Sequence, residues 1–178
     1  MDNDRQTRII LLTGVGKGKT TAALGMALRA VGHGLRVCVI QFIKQSAETG
    51  EARALRLLPD IEHHLCGRGF VRSAETEDVR GRHCAAATDG LARARERLSD
   101  VQTEMVILDE ICGAIALGLL PVQPVLDCLR AAADGKIIVL TGRDAPQALI
   151  DLADTVSHIH SVKHGFNAHL PARAGVEF

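Results

Sequence analysis

Tryptophan and tyrosine are absent from this 178-residue chain, and four phenylalanines bring its aromatic share to only 2%. Net charge is lacking as well, because 21 basic residues balance 21 acidic ones. No basic footprint for nucleic acid or for a membrane surface therefore stands out. Long apolar runs are missing: the longest are far too short to span a bilayer, and residues 1–7 are polar rather than signal-like. The five cysteines, Cys38, Cys66, Cys84, Cys112 and Cys128, are odd in number and show no C-x-x-C spacing. That argues against a disulfide framework or a zinc site and fits a reducing cytoplasm. The pair His63-His64 with Cys66 two residues on could be drawn as metal ligands, but incidental histidines at a strand end explain it more simply. Internal repeats and low-complexity linkers are absent too. Length and a 47% hydrophobic content then describe one domain, residues 1–178, with a flexible start at 1–7 and a tail at 163–178.

What is present is concentrated near the start. Ile9, Ile10, Leu11 and Leu12 form a continuous apolar run, as a strand buried on both faces requires. A glycine-rich loop follows, Gly14, Gly16 and Gly18 spaced by Val15 and Lys17, and Lys19, Thr20 and Thr21 then open a helical pattern. Strand, glycine loop, Lys-Thr and helix make a phosphate-binding loop. Glycines let backbone N–H groups turn inward, and the helix N-terminus adds its dipole, so the loop holds an anion. Lys19 is expected to neutralise phosphate oxygens and the Thr20 hydroxyl to ligate Mg²⁺. The usual glycine five residues before the Gly-Lys pair is here Thr13, which makes the loop one residue tighter, and Lys17 adds a second cation at its tip.

Along the rest of the chain, strands are expected at residues 36–42, 61–65, 105–110, 136–141 and 155–161. Helices are expected at 51–58, 77–98, 111–117, 121–132 and 146–153, with irregular chain in the tail. This alternation predicts an α/β fold, a doubly wound and mainly parallel sheet with helices on both faces. Ligands bind such sheets at the carboxyl ends of the strands. The glycine loop, Asp109-Glu110 and Thr141-Gly142-Arg143 all fall on that edge. Asp109 or Glu110 is expected to hold the Mg²⁺ shell opposite Thr20, directly or through water. The glycine- and arginine-rich stretch 66–74 is a plausible contact for a substrate or partner.

Residue physics alone stops at a P-loop NTPase. The chain further resembles the ATP:corrinoid adenosyltransferases of the RecA-like P-loop class. The residues that carry this are TGVGKGKTTAALGMALRAVGHG (13–34), QFIK (41–44), GE (50–51), GF (69–70), LDE (108–110), TGR (141–143), LADTVS (152–157), VKHGF (162–166) and GVEF (175–178). The tightened loop with its extra lysine is a trait of that family. The resemblance implies transfer of the 5′-deoxyadenosyl group of ATP to the Co(I) centre of a reduced corrinoid, with release of tripolyphosphate. It implies ATP as co-substrate, Mg²⁺, a cobalt-containing corrinoid substrate, an electron donor such as a flavoprotein, and a homodimer in the cytoplasm. ATP contacts are carried to Gly14, Val15, Gly16, Lys17, Gly18, Lys19, Thr20, Thr21 and Arg143, and catalytic roles to Lys19, Asp109 and Glu110. Mg²⁺ contacts go to Thr20, Asp109 and Glu110, and corrinoid contacts to Phe70, Arg72, Gln41, Lys44 and Glu51.

The chain departs from the family's pattern at several positions. Arg72 stands where many relatives carry the tryptophan that, with Phe70, displaces the corrinoid's lower axial ligand. The wedge is then incomplete or built differently, or the corrinoid is an incomplete one that needs no such displacement. Arg72 could meet a corrin carboxylate or simply be solvated. Val15 replaces a frequent asparagine, Cys112-Gly113 replace polar and aromatic residues, and only seven residues precede the first strand, where relatives carry a longer extension. Two other functions fit the local motifs: an ATP hydrolase or small kinase using Glu110 to polarise water, and a non-catalytic corrinoid carrier that binds ATP.

Overall fold

A computed structural model describes residues 6–46, 48–69, 71 and 76–176. Six strands form one sheet: β1 (Arg8–Thr13), β2 (Val37–Gln41), β3 (Ile61–Leu65), β4 (Met105–Asp109), β5 (Ile137–Thr141) and β6 (Thr155–His158). Between them lie α1 (Lys19–Gly32), α2 (Gly50–Leu55), α3 (Glu77–Ser99), α4 (Ile111–Ala116), α5 (Val122–Arg130) and α6 (Gln147–Leu152), and a 3-10 turn, Gly165–Ala168, follows. The strand order is β3-β2-β4-β5-β1-β6 and every pairing is parallel. The expected doubly wound sheet is present and is parallel throughout. The last strand is shorter than its sequence pattern, ending at His158 because residues 159–160 turn in beneath the glycine loop.

Parallel strands need a crossover between them, so both sheet faces are covered and the central strands carry apolar residues on both sides. Leu12, Val37, Val39, Met105, Ile107 and Val139 pack with Ala23, Ala27 and Ala30 of α1 and Leu55 of α2. Leu11, Cys38, Ile40, Val106, Leu108, Ile138 and Leu140 face the other way, onto Ala87, Leu91, Ala94 and Leu98 of α3 and onto α4–α6. The small side chains of α1 let it lie close over the sheet centre. Helix α3 begins where the Thr76 hydroxyl accepts from Val79 N and Glu77 and Asp78 complement the helix dipole. Its buried positions, His83, Ala87, Gly90, Leu91, Ala94 and Leu98, recur at the helical period and form one stripe.

This frame sets the carboxyl ends of β1, β4 and β5 side by side, since β5 lies between the other two. Register puts Leu12 beside Thr141, and Gln41 beside Asp109. No described helix is long and apolar enough to cross a membrane. Phe70 and Arg72, both expected at the corrinoid, lie outside the described residues, as does the first part of the expected flexible start.

Candidate active site

The glycine loop is built by opposing demands at neighbouring positions. Gly14 and Gly18 sit at φ +102° and +114°, in the left-handed region where a side chain is strained. A side chain at Gly14 would also meet the Ile159 carbonyl at 2.5 Å. Gly16 has ordinary torsions but no room: a Cβ there would lie 2.7 Å from both Ile159 O and the His160 carbonyl carbon. The loop is thus clamped from below by residues 159–160, through Gly16 N donating to Ile159 O (2.8 Å) and Ile159 N donating to Thr13 O (2.8 Å). Replacing Gly16 with alanine is expected to push that clamp aside, costing about 1–3 kcal/mol of stability by overpacking. ATP affinity should fall with it. Thermal unfolding and nucleotide titration of the same variant check both; unchanged ATP affinity would mean that the clamp does not shape the loop.

Lys19 is buried at the first turn of α1, and its Nζ donates to Gly14 O (2.7 Å) and Gly16 O (2.9 Å). Burial lowers its pKa, Glu110 opposes that shift, and Arg143 reinforces it. One ammonium proton remains for an anion in the cleft, since the group carries three donors. The Lys17 Nζ donates to the Val176 carbonyl, which draws the tail back onto the loop tip.

Behind the loop, Asp109 is almost fully buried and is the hub of a polar network. Its Oδ1 accepts from Thr20 Oγ1 (2.9 Å) and Thr141 Oγ1 (2.7 Å), and its Oδ2 accepts from Gln41 Nε2 (2.8 Å). The Thr141 hydroxyl also accepts from Glu110 N (2.9 Å). With the amide nitrogen of Gln41 turned to Asp109, its oxygen faces His63 Nε2 at 2.9 Å. Burial, then the neighbouring His64, lowers the pKa of His63 and favours the neutral ring, whose Nε2–H tautomer donates to the Gln41 oxygen. The carboxylate is therefore fixed by neutral donors from β1's helix, β2 and β5.

Glu110 differs in every respect. It has φ 62°, a left-handed conformation that costs on the order of 1–3 kcal/mol for a side-chain-bearing residue. This strain turns its carboxylate into the cleft, whose wall it forms. Burial pushes its pKa up, and the adjacent Asp109 adds to the shift against Lys19 and Arg143.

These groups surround a cleft of about 570 Å³. Val15, Gly16, Lys17, Gly18, Lys19, Thr20, Thr21, Lys44, Glu51, Glu110 and Arg143, all expected at a ligand, line it. Gly14, Asp109 and Gln41 do not. Gly14 lies beneath the loop, Asp109 stands behind Thr20, and Gln41 is fully buried and spends its amide on Asp109. Gln41, expected at the corrinoid, is placed here supporting the acid from within. At the cleft's far wall Lys44 Nζ pairs with Glu51 Oε1 at 2.5 Å. Burial works against the Glu51 charge, but the Lys44 hydrogen bond and the backbone N–H outweigh it and hold the pKa below the usual range. Residues that sequence reasoning missed are Thr141 as an anchor of Asp109, and His164, Gly175 and Val176 of the tail as cleft wall. Thr141 carried a signal, a polar residue ending an apolar strand on the same edge. The tail carried one only through the resemblance, in VKHGF (162–166) and GVEF (175–178), with nothing in its residue pattern to place it on the cleft.

The sequence matches the family described as ATP:corrinoid adenosyltransferase BtuR/CobO/CobP over residues 5–178. It is 40% identical over 176 residues to the corrinoid adenosyltransferase of Pseudomonas aeruginosa, covering 98% of this chain and 85% of that one. It is 38% identical over 170 residues to the corrinoid adenosyltransferase CobA of Salmonella typhimurium, covering 96% and 85% respectively. The corrinoid adenosyltransferase of Escherichia coli K12 is 37% identical over 175 residues, covering 98% of this chain and 87% of its own length.

Proposed function

Because this chain belongs to the ATP:corrinoid adenosyltransferase family and so transfers an adenosyl group from ATP to a corrinoid, we propose the division of labour within its cleft. The observation that carries the proposal is that the glycine loop, Lys17, Lys19, Thr20, Arg143 and Glu110 line one cleft, with Asp109 bonded to Thr20 from behind. Three cations with a helix N-terminus suit a triphosphate, and hydroxyl and carboxylate oxygens suit a hard divalent cation. Thr20 and Glu110 are the residues that would hold Mg²⁺, with Asp109 orienting Thr20 from behind. Mg²⁺ supplies further positive charge to the triphosphate oxygens.

The Co(I) centre of the reduced corrinoid attacks C5′ of the ribose. A cobalt–carbon bond forms, the C5′–O bond breaks, and the electron pair leaves with tripolyphosphate. The nucleophile carries no proton, so general-base catalysis is not required. The chain's task is to hold C5′ in line and to stabilise charge gathering on the leaving group. Lys19, Lys17 and Arg143 do the second. The corrinoid lies at the open side of the cleft, near Lys44 and Glu51, and the family resemblance adds Phe70 and Arg72 as its contacts. A flavoprotein-type reductant supplies the electron, and the protein works in the cytoplasm as a homodimer.

Anaerobic mixing with Mg-ATP and chemically reduced cobalamin tests this directly. Loss of Co(I) absorbance with a light-sensitive alkyl-cobalt product and tripolyphosphate is the expected result. Persistent Co(I) with inorganic phosphate released from ATP would overturn it in favour of hydrolysis, the reading that Glu110 beside Asp109 would otherwise permit.

Glu110 yields a further prediction. Its folded-state pKa is raised, so the folded protein binds this proton more tightly than the unfolded chain does. The group favours folding below the ordinary carboxylate range, and that contribution is lost as pH rises through the raised value. Glu110→Gln should therefore raise the neutral-pH stability by on the order of 1 kcal/mol while lowering activity. In the Mg²⁺-free protein, the loss of stability as pH rises through the raised value should vanish in the variant; an unchanged pH dependence of Tm would assign it to another group.

A further inference from the structure

Away from the nucleotide cleft, the edge of the sheet under α3 brings three different metal-binding chemistries together. Along β3, Ile61 and His63 turn toward α1 and α2, leaving Glu62 and His64 to alternate onto the α3 side. The parallel register sets Cys38 of β2 beside Glu62. The Cys38 thiol, a Glu62 carboxylate oxygen and a His64 ring nitrogen all lie within 4.8 Å of one another, and among the described residues no other three such ligands do.

We propose that Cys38, Glu62 and His64 form a binding site for a thiophilic divalent cation such as Zn²⁺, with water as the fourth ligand. Sulfur, imidazole nitrogen and carboxylate oxygen form a donor set that this ion takes. Bond lengths of about 2.0–2.3 Å place tetrahedral ligands roughly 3.3–3.6 Å apart. The present triangle reaches that by rotation of Glu62 and His64, whose side chains are 40% and 21% exposed. Cys38 is fully buried and provides the fixed inner ligand.

Two features bear on whether an ion could enter. A neighbouring cavity of about 280 Å³, lined by Glu62, Asp60, Asp100 and Arg97 among others, reaches the Glu62 ligand but not Cys38 or His64. Arg97 is the obvious competitor, since its Nε lies 3.0 Å from Glu62 Oε2. It also reaches Asp100 Oδ2 at 3.5 Å, so a cation that takes Glu62 leaves the guanidinium a partner. Burial, then Glu62, pushes the Cys38 thiol up to about 12, and metal binding would release its proton to solvent. The adjacent pair His63-His64 is split across the sheet by strand alternation, so only His64 faces this site, and Cys38 comes from another strand.

Such an ion would fasten edge strand β3 to β2. Residues 66–69 leave from the end of β3 and bond back to the loop after β2, through Gly67 N to Lys44 O (3.2 Å) and Gly69 N to Ile43 O (3.0 Å). The fastening therefore lies at the root of the segment that carries Phe70 and Arg72.

The test uses the whole protein without ATP or corrinoid. Cd²⁺ should produce the ultraviolet thiolate-to-metal charge-transfer band, and Zn²⁺ should abolish it by competition. At about a hundredfold excess over its dissociation constant, Zn²⁺ should raise Tm by roughly 5–10 °C, reversed by EDTA. Cys38→Ser should lose the band, and His64→Gln should weaken Zn²⁺ about 10-fold or more. If the serine variant does not fold, His64→Gln and Glu62→Gln decide the matter, both lying on the accessible side. No band in the parent, a band that survives Cys38→Ser, or parent-like affinity in folded His64→Gln and Glu62→Gln would each overturn the site.

Discussion

Lys19→Ala is expected to lower kcat/KM for ATP by about 10²–10³-fold, the scale set by removing one charge-stabilising donor from an enclosed site. The structure makes the loss larger than that of a surface cation. Lys19 is buried, and its Nζ ties together Gly14 O and Gly16 O, the two carbonyls on either side of the loop's first bend. Alanine therefore removes both a phosphate partner and the cross-brace that keeps the loop concave. Steady-state kinetics with varied ATP, alongside corrinoid binding as a control for folding, separates the two contributions. A variant with corrinoid affinity intact and near-normal turnover would sink the phosphate-loop assignment.

Asp109→Asn has the second-largest expected effect, and it acts through position rather than bulk. Among the described residues, the three neighbours that reach the carboxylate, Thr20, Thr141 and Gln41, all donate to it. An amide supplies one acceptor oxygen and an NH₂ group, so with its oxygen kept on the two threonines its NH₂ meets the Gln41 NH₂, and turned the other way it forces both hydroxyls to reorient. Leaving a buried polar group unmatched costs about 1–3 kcal/mol, and a lost charge-assisted bond adds to this. A fall in Tm of roughly 5–10 °C is expected for a chain of this size. The diagnostic readout is the Mg²⁺ concentration for half-maximal activity, which should rise about 10-fold or more because Thr20 is no longer held. If Tm falls while Mg²⁺ dependence is unchanged, Asp109 is purely structural.

The two halves of the site differ in how far the sequence discloses them. The strand, loop and helix that hold Lys19 and Thr20 are contiguous, so their chemistry is written in fourteen neighbouring residues. Asp109-Glu110 is readable because an apolar strand ending in acids is itself local. What is not readable is the contact made at long separation. Gln41 looks like a ligand residue in its QFIK stretch, and only the β2–β4 register turns it onto Asp109. The tail's return to Lys17 joins positions far apart in a stretch with no periodicity to betray it. Strand alternation was visible from hydrophobic runs, whereas the order of strands was not, because parallel pairing depends on crossovers that leave no mark on either strand's composition.

That strand order has a consequence for how the protein is made. Strand β1 is synthesised first, yet both of its neighbours, β5 and β6, come from the last third of the chain. During translation β2, β3 and β4 can associate under α3 while β1 waits with its apolar edges unpaired. The sheet closes only when residues 137–158 emerge and flank it on both sides. Non-local closure of this kind is slow and exposes unpaired edges to aggregation. The phosphate loop, made before every sheet neighbour it depends on, is thus among the last parts to become competent, and a nascent chain stalled before β5 should be unable to retain nucleotide.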